Sequence, residues 1–380
     1  MIILEKPYVS DFLIKTIKEN NFKVLDNEIA RKYFSIDELT PDISFIDEYK
    51  KRGLIYSNSE NSIGWVENNM ADFDVLKMIK LSKDKFQFRK ILKEIFPDYY
   101  FKKIELEKLK NFDIAKIKFP VVLKPCVGFL SFGVYPVRNE IEWHKTIEKL
   151  NNDIEKLKDI FPKNVVDMSE FLVEEMVEGR EFALDAYFDK NGNAVILNIF
   201  EHPFFDDKDV SDRVYYTSKE IIKEYLEPFT KLLNKIGKVG KYSNFPFHLE
   251  LRANEKAIIP IELNPMRFCG WCITDIAKYA WGINVYEAFL KGLKPDWNDI
   301  LSNAKDGCFY FTIGDIPACI DKNKIKEINY KKYLKNIKNP LDIRKTDYKN
   351  NPIFAIVFAY SPNIEEIKNI LKLNMKEYIV

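Results

Sequence analysis

Short apolar runs alternate with amphipathic stretches from the first residue onward. "MIIL" reads as a strand. "YVSDFLIKTIKENN" places Phe12, Leu13 and Ile17 at helical spacing, and "FKVLDN" returns to a strand. Strand, helix and strand in so short a span form a parallel βαβ unit, and "GLIYSNS" supplies a further strand. An open α/β domain is therefore expected over residues 1–80. "SKDKFQFRKILKEIF" predicts a helix with a Ser or Asp cap, ended by Pro97. "FPVVLKPCV" is β-rich, "GFLSFGVYPV" is a Gly-containing hairpin, and "EIEWHKTIEKLNNDIEKLKDIF" is a long helix. "FLVEEMV" is a strand, and "EGREFALDAYFDKNGNAVILNIFE" is a strand pair around Asn191-Gly192-Asn193. "SKEIIKEYLEPFTKLLNKIG" is a helix closed by Gly237. "FPFHLELRANEKAIIPIELNP" is another strand pair, followed by the helix "TDIAKYAWGINVYEAFLKGL". From residue 306 to 380 the pattern is that of a small α+β extension. The fold class is thus a multidomain chain of α/β and α+β parts, with a central domain over 81–305.

Composition narrows this picture. A chain of 380 residues with 46% hydrophobic and 31% charged positions is a soluble globular protein with room for two or three cores. Its 59 basic residues balance 58 acidic ones, so no net field favours a nucleic-acid partner. Cysteines at 126, 269, 272, 308 and 319 are odd in number and unevenly spaced, which fits reduced thiols and no disulfide framework. Glu5 and Asp11 interrupt the place where a signal peptide would carry its apolar core. No apolar run reaches 18 residues, so neither a transmembrane helix nor a membrane partner is expected. The expected location is the cytoplasm.

The chemistry gathers in the middle of the chain. Lys124 follows three apolar residues on what reads as a buried strand, where an unpaired charge is costly. It is either a lysine emerging at the strand end or a point charge for phosphates. Gly128, Ser131 and Gly133 follow at once; glycines let backbone N–H groups approach an anion, or simply serve a hairpin turn. "HLEL" and "PIEL" each alternate apolar and polar positions, as half-buried strands do. A three-residue loop over Asn254 to Lys256 would pair positions of equal parity. It would set His248 opposite Glu262 and Glu250 opposite Pro260. Glu250 and Glu262 would then be diagonal neighbours, roughly 7–8 Å apart at the backbone. Asn264 falls on the same face and adds a neutral oxygen. Two carboxylates and an amide suit Mg²⁺, with Mn²⁺ as a substitute.

Lys85, Lys124, the glycine segment, the pair Glu174-Glu175 and "IELNP" occur in an order that resembles the ATP-grasp superfamily, and more loosely its carboxylate–amine ligases. The resemblance covers roughly residues 80–300, with a lid subdomain at about 115–175, and 1–80 resembles the domain that usually precedes it. It implies ATP as cofactor beside the divalent ion. Lys85 and Lys124 would hold phosphates under the loop of Gly128, Ser131 and Gly133. The backbone of Glu174 and Val177 would meet the adenine edge, and Glu181 the ribose hydroxyls. Glu250, Glu262 and Asn264 would hold the metal. Arg267 would present a bidentate fork to phosphate or a substrate carboxylate, although one inserted residue separates it from the Asn-Pro of the motif. Lys208 or Arg213, with Arg213 preferred, would reach the γ-phosphate.

The implied activity is a ligase. A carboxylate is phosphorylated to an acyl phosphate, and an amine displaces phosphate to give an amide, ADP and phosphate. The partners are then small carboxylates and amines, and a homodimer is compatible. The alternatives are a bicarbonate-dependent carboxylase chemistry, although nothing resembles a biotin-carrier segment, and a non-catalytic nucleotide-binding or thiol protein. Cys269-Gly-Trp-Cys272 has the spacing of a redox centre but follows the metal strand in a turn, so the thiols are expected to be incidental.

Overall fold

The computed structural model defines residues 1–128, 133–157, 167–206, 209, 211–317 and 319–380, with side chains except at 151–157, 167 and 168. The first sheet comprises β1 (Ile2–Ile3), β2 (Val24–Leu25), β3 (Leu39–Thr40) and β4 (Tyr56–Ser57), all parallel in the order β3-β2-β1-β4. The helix Asp11–Asn20 crosses from β1 to β2. The Ser10 hydroxyl accepts from the Leu13 N–H at its start, and Asn21 closes it in the left-handed region at φ 50°. This is the βαβ unit that the apolar spacing predicts.

A second, antiparallel sheet has its own small core. It comprises β5 (Phe101–Glu105), β6 (Val121–Val127), β7 (Tyr135–Val137) and β8 (Asp167–Glu175), in the order β5-β8-β6-β7. Val121, Leu123, Phe171 and Val173 pack there against Trp143 and Leu150 of the helix Glu140–Leu157.

The third sheet carries most of the molecule. Its strands are β9 (Arg180–Phe188), β10 (Ala194–His202), β11 (Val214–Ser218), β12 (Phe245–Ala253), β13 (Ile258–Pro265), β14 (Cys308–Asp315), β15 (Pro340–Lys345) and β16 (Ile353–Ser361). They run β13-β12-β9-β10-β11-β14-β16-β15 with every pair antiparallel. The C-terminal strands thus continue the central sheet through the β11–β14 pairing.

Two helices depart from their expected ends. The helix Lys219–Gly240 passes through Gly237 and stops at Lys241, which takes the left-handed φ of 52°. Gly237 instead marks a close crossing. A Cβ there would lie 2.5 Å from the Gly192 carbonyl oxygen and 2.8 Å from Cε1 of Phe188. Gly237→Ala should therefore cost about 1–3 kcal/mol in urea unfolding despite its better helix propensity; a stabilised variant would show that the crossing can relax. The stretch 274–293 is not one helix. Gly282 at φ 69° ends Ile276–Trp281, and the Asn284 side chain caps Val285–Lys291.

Candidate active site

The hairpin β12–β13 builds one wall of the site, in a register other than the one its sequence suggests. Ala253 pairs with Ile258, so the connection is one residue longer than expected. That change alone would put the two glutamates on opposite faces, because each single-residue slip reverses side-chain direction. An irregularity between Glu250 and Leu251 restores the parity: Leu251 pairs with Pro260 but Glu250 with Glu262, leaving Ile261 as the extra residue of a bulge. The expected diagonal arrangement is corrected to a direct pair, with Glu250 opposite Glu262 and His248 opposite Asn264. The Asn264 amide N–H donates to Glu262 Oε1 at 3.2 Å.

Basic groups from the adjoining elements face this wall. Asp84 caps the helix Lys85–Leu92 by accepting from the N–H groups of Phe86 and Gln87, which fixes Lys85 at its first turn. Lys85 Nζ lies 2.7 Å from Glu262 Oε2 and donates to the Gly128 carbonyl at 3.3 Å. Burial opposes ionisation of Glu262, but the Lys85 ammonium outweighs it and holds the carboxyl at about 2. Glu250 has no paired cation among the described residues, and the Arg267 charge offsets only part of what opposes its ionisation. Burial, then the negative charges of Glu262, Asp212 and Glu181, push its carboxyl well above the usual range.

Lys124 of β6 is 3% exposed and sits 2.6 Å from Glu174 Oε1. Glu174 also receives Nε and Nη2 of Arg89, whose Nη1 donates to the Pro260 carbonyl. Burial works against the Glu174 carboxylate, yet Arg89 and then Lys124 bring its pKa to about 2. Glu174 is therefore a charge anchor: its backbone lies inside the β5-β8-β6-β7 sheet, in register with both Phe101 and Val122, which corrects the expected backbone contact with adenine. Val177 lies beyond the end of β8, and its carbonyl accepts from Arg252 Nη1 at 3.1 Å. Glu181 accepts from Arg252 Nε at 2.9 Å and faces His202 at 3.1 Å.

Arg267 is held from the N-terminal domain. The inserted Met266 takes a left-handed φ of 62° and is fully buried, and its carbonyl accepts from the Ser57 N–H at 2.9 Å. The turn directs the Arg267 guanidinium onto Glu60, 2.7 Å away, and Glu60 also pairs with Lys83. Burial opposes the Glu60 carboxylate, but Lys83 and Arg267 hold it at about 2.

Arg213 is corrected outright. Its guanidinium donates to the carbonyls of Leu371 and Leu373 and pairs with Asp315 at 3.3 Å, so it ties down the C-terminal helix. Its neighbour Asp212 is the residue whose charge reaches Glu250 and Glu262. Ser131 and Lys208 lie outside the described residues. Gly133 takes a φ of 73°, which favours glycine. The sequence reading passes over Arg89, Glu60, Lys83, Arg252 and Asp212. Of these, Arg89 carried a signal, four residues beyond Lys85 on one helical face.

Cys269 and Cys272 are free thiols, Cys269 just before and Cys272 within a kink where Trp271 and Cys272 have φ of 57° and 53°. The Cys269 N–H donates to Asp185, and burial raises the Cys272 thiol to about 11. Neither is a low-pKa nucleophile. Cys269→Ser with Cys272→Ser should retain ADP formation within about threefold, with a stability cost of about 1–2 kcal/mol for the buried hydroxyl. Lost turnover in a doubly substituted protein that still folds would give the thiols a role.

A family model described as an ATP-grasp domain matches residues 117–275. A D-alanine--D-alanine ligase of Petrotoga mobilis is 24% identical over 163 residues, which are 42% of this chain. The match spans 47% of that relative, about half its length. An L-amino acid ligase structure from Bacillus licheniformis superposes with a TM-score of 0.69 at 16% identity, covering 100% of this chain and 97% of the other. The N5-carboxyaminoimidazole synthase of Aspergillus clavatus, in complex with ADP, gives 0.64 at 13% identity, covering 98% and 96%. The biotin carboxylase domain of the Hydrogenobacter thermophilus 2-oxoglutarate carboxylase gives 0.62 at 17%, covering 96% and 86%. These structures share the fold. The domain match takes in the glutamate hairpin and Lys124 of β6, so residues 117–275 match an ATP-grasp domain and the whole chain shares the fold of these structures.

Proposed function

We propose that the protein is an ADP-forming ligase that activates a carboxylate as an acyl phosphate and joins it to an amine. The observation that carries this reading is the direct pairing of Glu250 with Glu262, with Lys85 against one carboxylate and Lys124 on the facing sheet. Two carboxylates and the Asn264 oxygen form a hard donor set, which suits Mg²⁺ or Mn²⁺ completed by phosphate and water oxygens. Glu250 has no hydrogen-bond or ion-pair partner among the described residues, as a side chain reserved for a cation would not. Bound ATP with its divalent ion would supply the transferable phosphoryl group. Lys85 and Lys124 hold phosphate oxygens as point charges, and Arg267 faces the charge that develops on the transferred group. Gly128 and Gly133 would give the phosphates a close backbone, while Val177 and Glu181 would meet the base and ribose.

The likeness to a D-alanine--D-alanine ligase and to an L-amino acid ligase makes amino acids the first substrates to try. ADP release from ATP and Mg²⁺ should be measured across a panel of carboxylate and amine pairs. Release that requires both members supports the ligase. Release stimulated by bicarbonate without an amine would replace it with a carboxylase.

A further inference from the structure

We infer that His202 carries a hydrogen on both ring nitrogens and, as a cation, positions Glu181 for the nucleotide ribose. The inference rests on the nucleotide-site reading of Glu181 proposed above. His202 ends β10 directly opposite Glu181 of β9 and is 3% exposed. Nδ1 lies 3.1 Å from Glu181 Oε1, and Nε2 lies 3.0 Å from the Ser211 carbonyl oxygen. A carbonyl only accepts, and so does an ionised carboxylate. A neutral imidazole has a single N–H and could satisfy one of these partners; the imidazolium satisfies both.

The surroundings favour the cation. Arg252 of β12 donates to the other Glu181 oxygen at 2.9 Å, which keeps that carboxylate ionised. The imidazole lies flat on Tyr215 of β11, with ring centroids 3.9 Å apart and an interplanar angle of 14°, and Phe204 flanks it at 4.2 Å. Aromatic faces attract a cation. The Tyr215 hydroxyl donates to Asp212 at 2.9 Å; burial raises the Asp212 carboxyl, and the nearby imidazole works against that rise. Among the described residues, Glu181, Asp212, Tyr215 and Arg252 are the titratable or charged groups around the ring. Ser211 is itself fixed, since its N–H and hydroxyl both donate to Asp209 Oδ1, at 2.9 and 2.7 Å. His202 thus joins the ribose carboxylate to the segment that delivers Asp212 toward Glu250.

The chain has three histidines, so ¹⁵N-histidine labelling gives three ring systems, and the spectrum of His202→Gln identifies one by its loss. At pH 7 the His202 ring should show two protonated nitrogens. One protonated and one bare nitrogen would overturn the inference. Affinity for a non-hydrolysable ATP analogue, by calorimetry, tests the positioning role. His202→Gln should weaken binding by about tenfold, and His202→Phe, which keeps the stack but no donor, by more. In turnover the loss should fall on KM for ATP more than on kcat. Wild-type affinity in both variants would overturn the role. If the wild-type protein bound no ATP, the ligase reading and the ribose role would fall together, while the ring spectrum would still decide whether His202 is the cation.

Discussion

Glu262→Gln should lose ADP formation by at least about a hundredfold, the scale for removing one electrostatic group from a preorganised site. Glu250→Gln should also lose turnover, though less. The two should have opposite effects on stability once divalent ions are stripped with a chelator. Glu262 is the partner of the buried Lys85, 2.7 Å away. Glutamine can still accept from that ammonium but no longer balances its charge, so a loss of about 1–3 kcal/mol is expected. Burial and the facing Glu262 push the Glu250 carboxyl well above the usual range, so without a cation the fold bears the cost of keeping that carboxyl from ionising. Glutamine removes that cost and should raise Tm by about 2–4 °C. Added Mg²⁺ should then stabilise wild type more than either variant. Thermal unfolding with and without Mg²⁺, beside ADP release, checks all of this. A Glu262→Gln enzyme with wild-type rate and Mg²⁺ dependence would eliminate the metal site, and a Glu250→Gln protein melting below wild type in chelator would eliminate the charge argument.

The hairpin shows both what the sequence discloses and what it conceals. Alternation in "HLEL" and "PIEL" disclosed two half-buried strands whose carboxylates share a face only if the hairpin pairs positions of equal parity. It could not disclose the register. The longer loop and the Ile261 bulge are each a change of one residue, and only together do they return Glu250 and Glu262 to one face. Lys124 was legible because a charge after three apolar residues must find a partner. That partner, Glu174, lies 50 positions away, and pattern says nothing about pairing at that range. Arg213 failed for a related reason: a residue approaching a strand can face either side, and here Asp212 turns to the carboxylates while Arg213 takes the other side. Glycine was misread at 237 because closing a helix and permitting a close crossing leave the same letter. The C-terminal extension was legible as α+β, but the pairing of its strands through β11–β14 depends on non-local geometry.

The second large effect is expected at Glu174. Its carboxyl is held at about 2 in the fold, against an ordinary value of 4.5. The native protein therefore binds the Glu174 proton less readily than the unfolded chain does. The stability this contributes is fully present above the unfolded pKa and is lost as pH falls from about 5 toward 2. A shift of that size on a group only 4% exposed corresponds to about 3 kcal/mol. Glu60, held at about 2 by Lys83 and Arg267, titrates in the same window and should add to the acid sensitivity. Glu174→Gln leaves Arg89 and Lys124 as two buried cations with no carboxylate between them. Breaking a buried pair from one side costs about 3–5 kcal/mol, so the variant should lose that much at pH 7 and show a flatter stability profile between pH 5 and 3. Replacing all three residues with apolar ones of similar volume, Arg89→Met, Lys124→Met and Glu174→Leu, should regain most of the loss, because no buried charge is then left unpaired. It should not regain nucleotide binding, because the proposed function gives the Lys124 ammonium to the phosphates. Urea unfolding at pH 7 and pH 4 separates the contributions. If Glu174→Gln unfolded at the wild-type urea concentration at pH 7, the triad would not be the electrostatic anchor of the cleft.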